Sequence, residues 1–152
     1  TVGADAKLEY ARELGADVVL NYGRGDFAAQ ARNVTNNRGV EVVIDTVGGD
    51  ILRRSLECLA PGGRLVSLGT VGGAEVRVDL RKVIPRGIGV LGVNAGALPP
   101  YQAADRYRQI HQLVLQGRLH PVIDRILPLA EAAEAHTLLT QRQNFGKIIL
   151  RT

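Results

Sequence analysis

Apolar residues in this chain come in two alternating textures: short unbroken runs, and longer stretches where they recur every three or four positions. The runs predict buried strands, and the spaced stretches predict amphipathic helices. Leu8, Ala11 and Leu14 keep helical spacing over residues 6–14, and Gly15 supplies the stop. Val18-Val19-Leu20 is too short for a helix and is bounded by Asp17 and Asn21-Tyr22-Gly23, so a buried strand is expected there. Asp26 predicts an N-cap for a helix reaching about Val34. Residues 40–44 predict a second buried strand. Residues 50–59 predict a helix halted by Pro61-Gly62-Gly63, and residues 64–68 a third strand.

Further on the pattern loosens. Residues 75–78 predict a short extended piece, and Asp79 caps a turn of helix ended by Pro85. Residues 88–93 predict a strand. Pro99-Pro100 precedes a long helix over about residues 102–116, with Tyr107, Ile110, Leu113 and Val114 on one face. A strand over 122–127, a helix over 130–140 and a strand over 146–150 complete the chain. Buried strands alternating with helices predict an α/β fold, a doubly wound parallel sheet covered on both faces.

Composition narrows this picture. The 152 residues are 45% apolar, enough for one domain with a real core. No apolar run suits a membrane span and no signal-peptide pattern appears. The single cysteine, Cys58, supports neither an intrachain disulfide nor a cysteine-based zinc cluster, and it fits a reducing cytoplasm. The opening Thr1-Val2-Gly3-Ala4-Asp5-Ala6-Lys7 reads as the exit of a strand into a helix, and the sequence holds no Met. The chain is therefore expected to be part of a longer product. Its net charge of +4 is scattered and aromatics make up only 4%, which argues against a nucleic-acid surface and for a local anionic ligand.

In a doubly wound sheet, ligands gather at the carboxyl ends of the strands. The exits here are Thr1-Val2-Gly3, Asn21-Tyr22, Asp45-Thr46-Val47-Gly48-Gly49 and Leu68-Gly69-Thr70. After the second strand of such a fold, a carboxylate normally accepts the ribose hydroxyl of NAD. At this tip stand Gly3, which permits close approach, and Lys7, which supplies a cation; Asp5 is expected to cap the helix. His111, His120 and His136 lack the spacing of a helical ligand pair, so no metal site is expected.

Taken in order, the stretches Gly15-Ala16-Asp17, Asn21-Tyr22, Arg38-Gly39-Val40-Glu41-Val42-Val43, Asp45-Thr46-Val47-Gly48-Gly49, Leu59-Ala60-Pro61-Gly62-Gly63-Arg64, Gly117-Arg118-Leu119-His120-Pro121 and Phe145-Gly146-Lys147 resemble the medium-chain dehydrogenase/reductase superfamily. Within it they are similar to the zinc-independent NADPH:quinone oxidoreductases of the zeta-crystallin type. The resemblance implies most of a Rossmann domain, lacking the first strand and the glycine-rich loop, with a GroES-like catalytic domain upstream. It implies that Gly3, Lys7, Tyr22 and Arg142 hold the 2′-phosphate of NADPH. It places Thr46 at a cofactor-facing strand exit, and Gly69, Thr70, Val93 and Asn94 towards the nicotinamide. The substrate implied is a small quinone or enone. A homodimer through the edge strand near residues 88–93 is also implied. No catalytic acid or base is assigned. Residues 18–20 and 40–44 are expected to be separated by a gap of two strands.

Other readings stay open. A zinc-dependent alcohol dehydrogenase of the same superfamily would carry its metal ligands upstream. The Leu59-Ala60-Pro61-Gly62-Gly63-Arg64 turn also occurs in S-adenosylmethionine methyltransferases, whose sheet ends in an antiparallel hairpin, whereas this chain continues with a helix and a strand. A non-catalytic structural or nucleic-acid-binding fragment is the remaining alternative.

Overall fold

A computed structural model describes residues 1–152, apart from the side chain of Ala95. The chain divides into two compact units, Thr1–Asn94 and Ala95–Thr152. Every ladder in both is parallel, as a Rossmann-like α/β architecture requires.

In the first unit a short turn at Asp5–Lys7 leads into α1 (Leu8–Glu13), and α2 follows (Phe27–Val34). Asp26 caps α2 as expected, its carboxylate accepting from the backbone N–H groups of Ala28 and Ala29. Then come β1 (Val40–Asp45), α3 (Gly49–Cys58), β2 (Leu59–Ser67), α4 (Leu80–Val83) and β3 (Gly89–Gly92). The sheet order is β1-β2-β3. Leu52 and Leu56 of α3 pack with Leu59 and Leu65 of β2, and Val40, Val43 and Ile88 close around them. Leu65 is fully buried; removing such a side chain from water stabilises a fold by about 1.5–3 kcal/mol. A second cluster joins Phe27 and Ala28 of α2 to Cys58 of α3.

Several expectations need correcting. Residues 18–20 form no strand; they lead to a single parallel bridge between Val2 and Asn21. A three-residue apolar run has too few backbone groups to sustain a ladder when only one pairing is made. Among the described residues, this segment and β1 are not paired. β1 is a strand but not a buried one, since Val42 and Ile44 are 47% and 60% exposed. Its other row, Val43 and Asp45, faces inward. Pro61-Gly62-Gly63 does not precede the third strand but lies inside β2. Leu59 pairs with Val40, the register then jumps, and Arg64 pairs with Val42, so these residues form a bulge. Residues 75–78 form no strand, although Val76 and Val78 lie against the core.

The second unit holds α5 (Pro100–Leu115), β4 (Ile123–Pro128), α6 (Ala132–Thr140) and β5 (Lys147–Arg151), with β4 and β5 paired. Asp124 anchors the turn into β5, its carboxylate accepting from the N–H of Phe145 at 2.9 Å. The apolar stripe of α5 is present as its spacing predicted, yet Tyr107 and Ile110 on it are exposed. Among the described residues no helix is long and apolar enough to cross a membrane.

Cys58 is buried, and its Sγ lies 3.1 Å from the carbonyl oxygen of Ser55. Burial raises its pKa, because the thiolate would lose hydration. The stability tied to this raised value is fully present below the unfolded thiol's pKa of about 8.5 and is lost as pH rises through the folded one. At about pH 8 the native protein is expected to react slowly with an aromatic disulfide reagent, and the denatured chain at the normal thiol rate. Equal rates would show Cys58 to be accessible.

Candidate functional site

The Val2–Asn21 bridge builds the first part of the site. The N–H of Val2 donates to Leu20 O at 2.9 Å, and the N–H of Tyr22 donates to Val2 O at 3.0 Å. That pairing lays Gly3 under the ring of Tyr22. A Cβ at residue 3 would stand 2.5 Å from the Tyr22 hydroxyl, so only glycine leaves the ring in place. Tyr22 is half-buried and its inner edge rests on the Phe27, Ala28 and Cys58 cluster. Lys7 ends the Asp5–Lys7 turn, four residues on from Gly3, and is half-buried. Gly3 and Tyr22 thus meet, and Lys7 follows on the short turn after Gly3.

Two features of this cluster were not visible in the local sequence pattern. Asp5 does not cap the helix that follows it. Its Oδ1 accepts from Asn21 Nδ2 at 2.7 Å, and its Oδ2 pairs with the Arg24 guanidinium. Arg54 of α3 also reaches across. Its guanidinium donates to Tyr22 O at 3.3 Å and to Gly25 O at 2.5 Å, and lies 4.6 Å from the centre of the Phe27 ring. The partners of Asp5 lie 16 and 19 residues away in sequence, and those of Arg54 about 30, so periodicity carries no trace of either.

The second part of the site lies where β1, β2 and β3 end. Asp45 is buried, with Oδ2 accepting from the N–H of Gly48 at 2.8 Å, and this closes the turn into α3. Leu68 N–H donates to Asp45 O and Gly72 N–H to Val47 O, both at 2.7 Å, clasping the β1 and β2 exits together. Side chains would prevent that clasp: a Cβ on Gly48 would meet Gly73 O at 2.7 Å, and one on Gly69 would collide with Thr46 O. Thr46 and Thr70 remain exposed at the rim. Val93 N–H donates to Ser67 O at 3.0 Å, bringing the β3 exit alongside. Ser67, Gly69, Thr70, Val93 and Asn94 then line a groove of about 420 Å³. Of the residues expected to bind cofactor, eight lie in the first unit. Arg142 is in the second unit, on the turn after α6, with φ +56°. Among the described residues, no group of three His, Cys, Asp or Glu side chains is placed to hold a metal ion.

The family known as zinc-binding dehydrogenase matches residues 14–150, nearly the whole chain. The chain belongs to this zinc-binding dehydrogenase family. Its relatives in the family include the 2-haloacrylate reductase of a Burkholderia species, 36% identical over 156 residues, which covers 99% of this chain and 46% of the relative. Another is quinone oxidoreductase-like protein 2 of Bos taurus, 32% identical over 160 residues, covering 97% and 43%. Among solved structures, an NAD-dependent alcohol dehydrogenase aligns with a TM-score of 0.86 at 32% identity, over 99% of this chain and 42% of that one. A mycobacterial protein solved in complex with NADPH aligns with a TM-score of 0.87 at 26% identity, over 99% and 48%. The chain spans less than half the length of each of these family members.

The clasp at the strand exits makes a direct prediction. Gly69→Ala forces a backbone shift and is expected to cost about 1–3 kcal/mol in denaturant unfolding. Gly92→Ala, which has open space around the added carbon, should stay within about 0.5 kcal/mol. Equal costs would show that the two loops are not held in contact.

Proposed function

We propose that this chain binds the adenosine end of NADPH at the Gly3, Lys7 and Tyr22 cluster and serves a reductase of conjugated carbonyl acceptors, quinones or enones. The observation that carries the proposal is the bare Gly3 under the Tyr22 hydroxyl. A glycine stands at the tip where NAD-binding sheets carry a carboxylate, so an incoming phosphate would meet the Tyr22 hydroxyl, with Lys7 four residues further along the chain. The residues fit that group: Tyr22 donates through its hydroxyl, Lys7 supplies charge, and Arg54 holds the Tyr22 loop still.

When bound, NADPH supplies the hydride, and the chain supplies position and shelter from water. Thr46, Gly69, Thr70, Val93 and Asn94 would line the nicotinamide end, where the clasped loops give a rigid floor. Arg142 is proposed as a further phosphate ligand on the resemblance alone. The relatives named for 2-haloacrylate and quinone reduction both support an acceptor with conjugated unsaturation. A homodimer belongs to the same proposal, supported by the free edge of β3, where Val90, Leu91 and Val93 are about half exposed. So does a cytoplasmic setting, supported by the single unpaired thiol.

A second reading, a zinc-dependent alcohol dehydrogenase using NAD, draws on the likeness to the NAD-dependent alcohol dehydrogenase structure. The absence of a carboxylate at position 3 weighs against it. Lys7→Ala separates the two readings. It is expected to raise the NADPH dissociation constant about 10- to 100-fold, the size of one charge-assisted contact, and to leave NADH nearly unchanged. Calorimetric titration of the intact protein checks this, and equal weakening of both nucleotides would remove Lys7 from phosphate recognition.

A further inference from the structure

We propose that Arg24 sets the cofactor preference of this cluster by masking the carboxylate of Asp5, an inference that rests on the NADPH reading above. Asp5 lies two residues past Gly3, and an open carboxylate there would favour the wrong nucleotide. It would repel a 2′-phosphate and could accept the 2′-hydroxyl of NAD. In the structure neither of its oxygens is open. Oδ1 is taken by Asn21 Nδ2 at 2.7 Å, and Oδ2 is paired with Arg24. Asn21 cannot swing its amide away cheaply, because its own carbonyl oxygen accepts from the Gly23 N–H at 2.8 Å. The backbone fixes the other partner too, since Arg24 N–H donates to Asn21 O at 3.0 Å and holds residue 24 in the same turn.

Asp5 and Arg24 cancel, so the Asp5 carboxylate adds no net negative charge at this tip. The Arg24 side chain is 76% exposed and that of Asp5 36%, so the pair is at the surface within reach of a ligand rather than in the core. Exposed pairs of this kind contribute little to folding. Removing Arg24 should therefore leave the fold intact and act on nucleotide choice. A tip that carries a carboxylate can still read a phosphate, provided a neighbouring guanidinium holds that carboxylate.

The test is equilibrium titration of the intact protein with NADPH and NADH, for wild type, Arg24→Ala, Asp5→Asn, the double variant and Arg24→Lys. Arg24→Ala should weaken NADPH and tighten NADH, shifting their affinity ratio about tenfold or more. In the Asp5→Asn background the same change should give no gain for NADH, because no carboxylate is left to unmask. Arg24→Lys keeps a cation and should stay near wild type. If Arg24→Ala weakens NADPH alone, to the same degree in both backgrounds, Arg24 is a plain phosphate contact and the mask is wrong. An unchanged ratio also overturns it. A wild type with no preference for NADPH would sink the cofactor reading itself, and the mask with it.

Discussion

Leu52 and Leu56 on one side of α3, and Ile51 and Cys58 beside them, bury a helix against β1, β2 and α2 at once. Much of the first unit depends on that burial. The amino end of α3 is set by the buried carboxylate of Asp45, which holds Gly48 and fixes where the β1 exit turns. Its middle sends Arg54 to the carbonyls of Tyr22 and Gly25. Its carboxyl end passes directly into β2 at Leu59, whose side chain is almost wholly buried. One apolar contact surface thus positions both loop clusters of the site.

The site itself is defined by close approach. Gly3 under Tyr22, and Gly48 and Gly69 in the clasp between the β1 and β2 exits, are places where a side chain would displace a neighbour. Such crowding costs little when the residue is glycine. Thr46 and Thr70 stay exposed beside one close approach, and the half-buried Tyr22 lies over the other. In the proposed function a dinucleotide would use both places, one for its adenosine phosphate and one for its reactive ring.

Much of this was legible in the sequence, and the misses share a cause. Asp26 and Asp79 were readable as caps because a cap is local: a carboxylate followed at once by helix-forming residues. The Gly48-Gly49 pair after β1 and Gly69 after β2 were readable as strand exits for the same reason. Residues 18–20 misled because an apolar run shows a wish for burial, not the presence of a pairing partner. Pro61-Gly62-Gly63 misled because a turn signal can be absorbed as a bulge when Leu59 finds Val40. Asp5 looked like a cap, yet Asn21 and Arg24 claimed it from a distant loop. Partners brought together by tertiary folding leave no mark on local spacing.

The proposed role of Gly3, Lys7 and Tyr22 is recognition of a 2′-phosphate. The most direct measurement is a calorimetric comparison of adenosine 2′,5′-bisphosphate with adenosine 5′-monophosphate, which differ only in that group. Binding of the bisphosphate is expected to be at least about tenfold tighter, as one charge-assisted contact would give. Equal affinity for the two would contradict it.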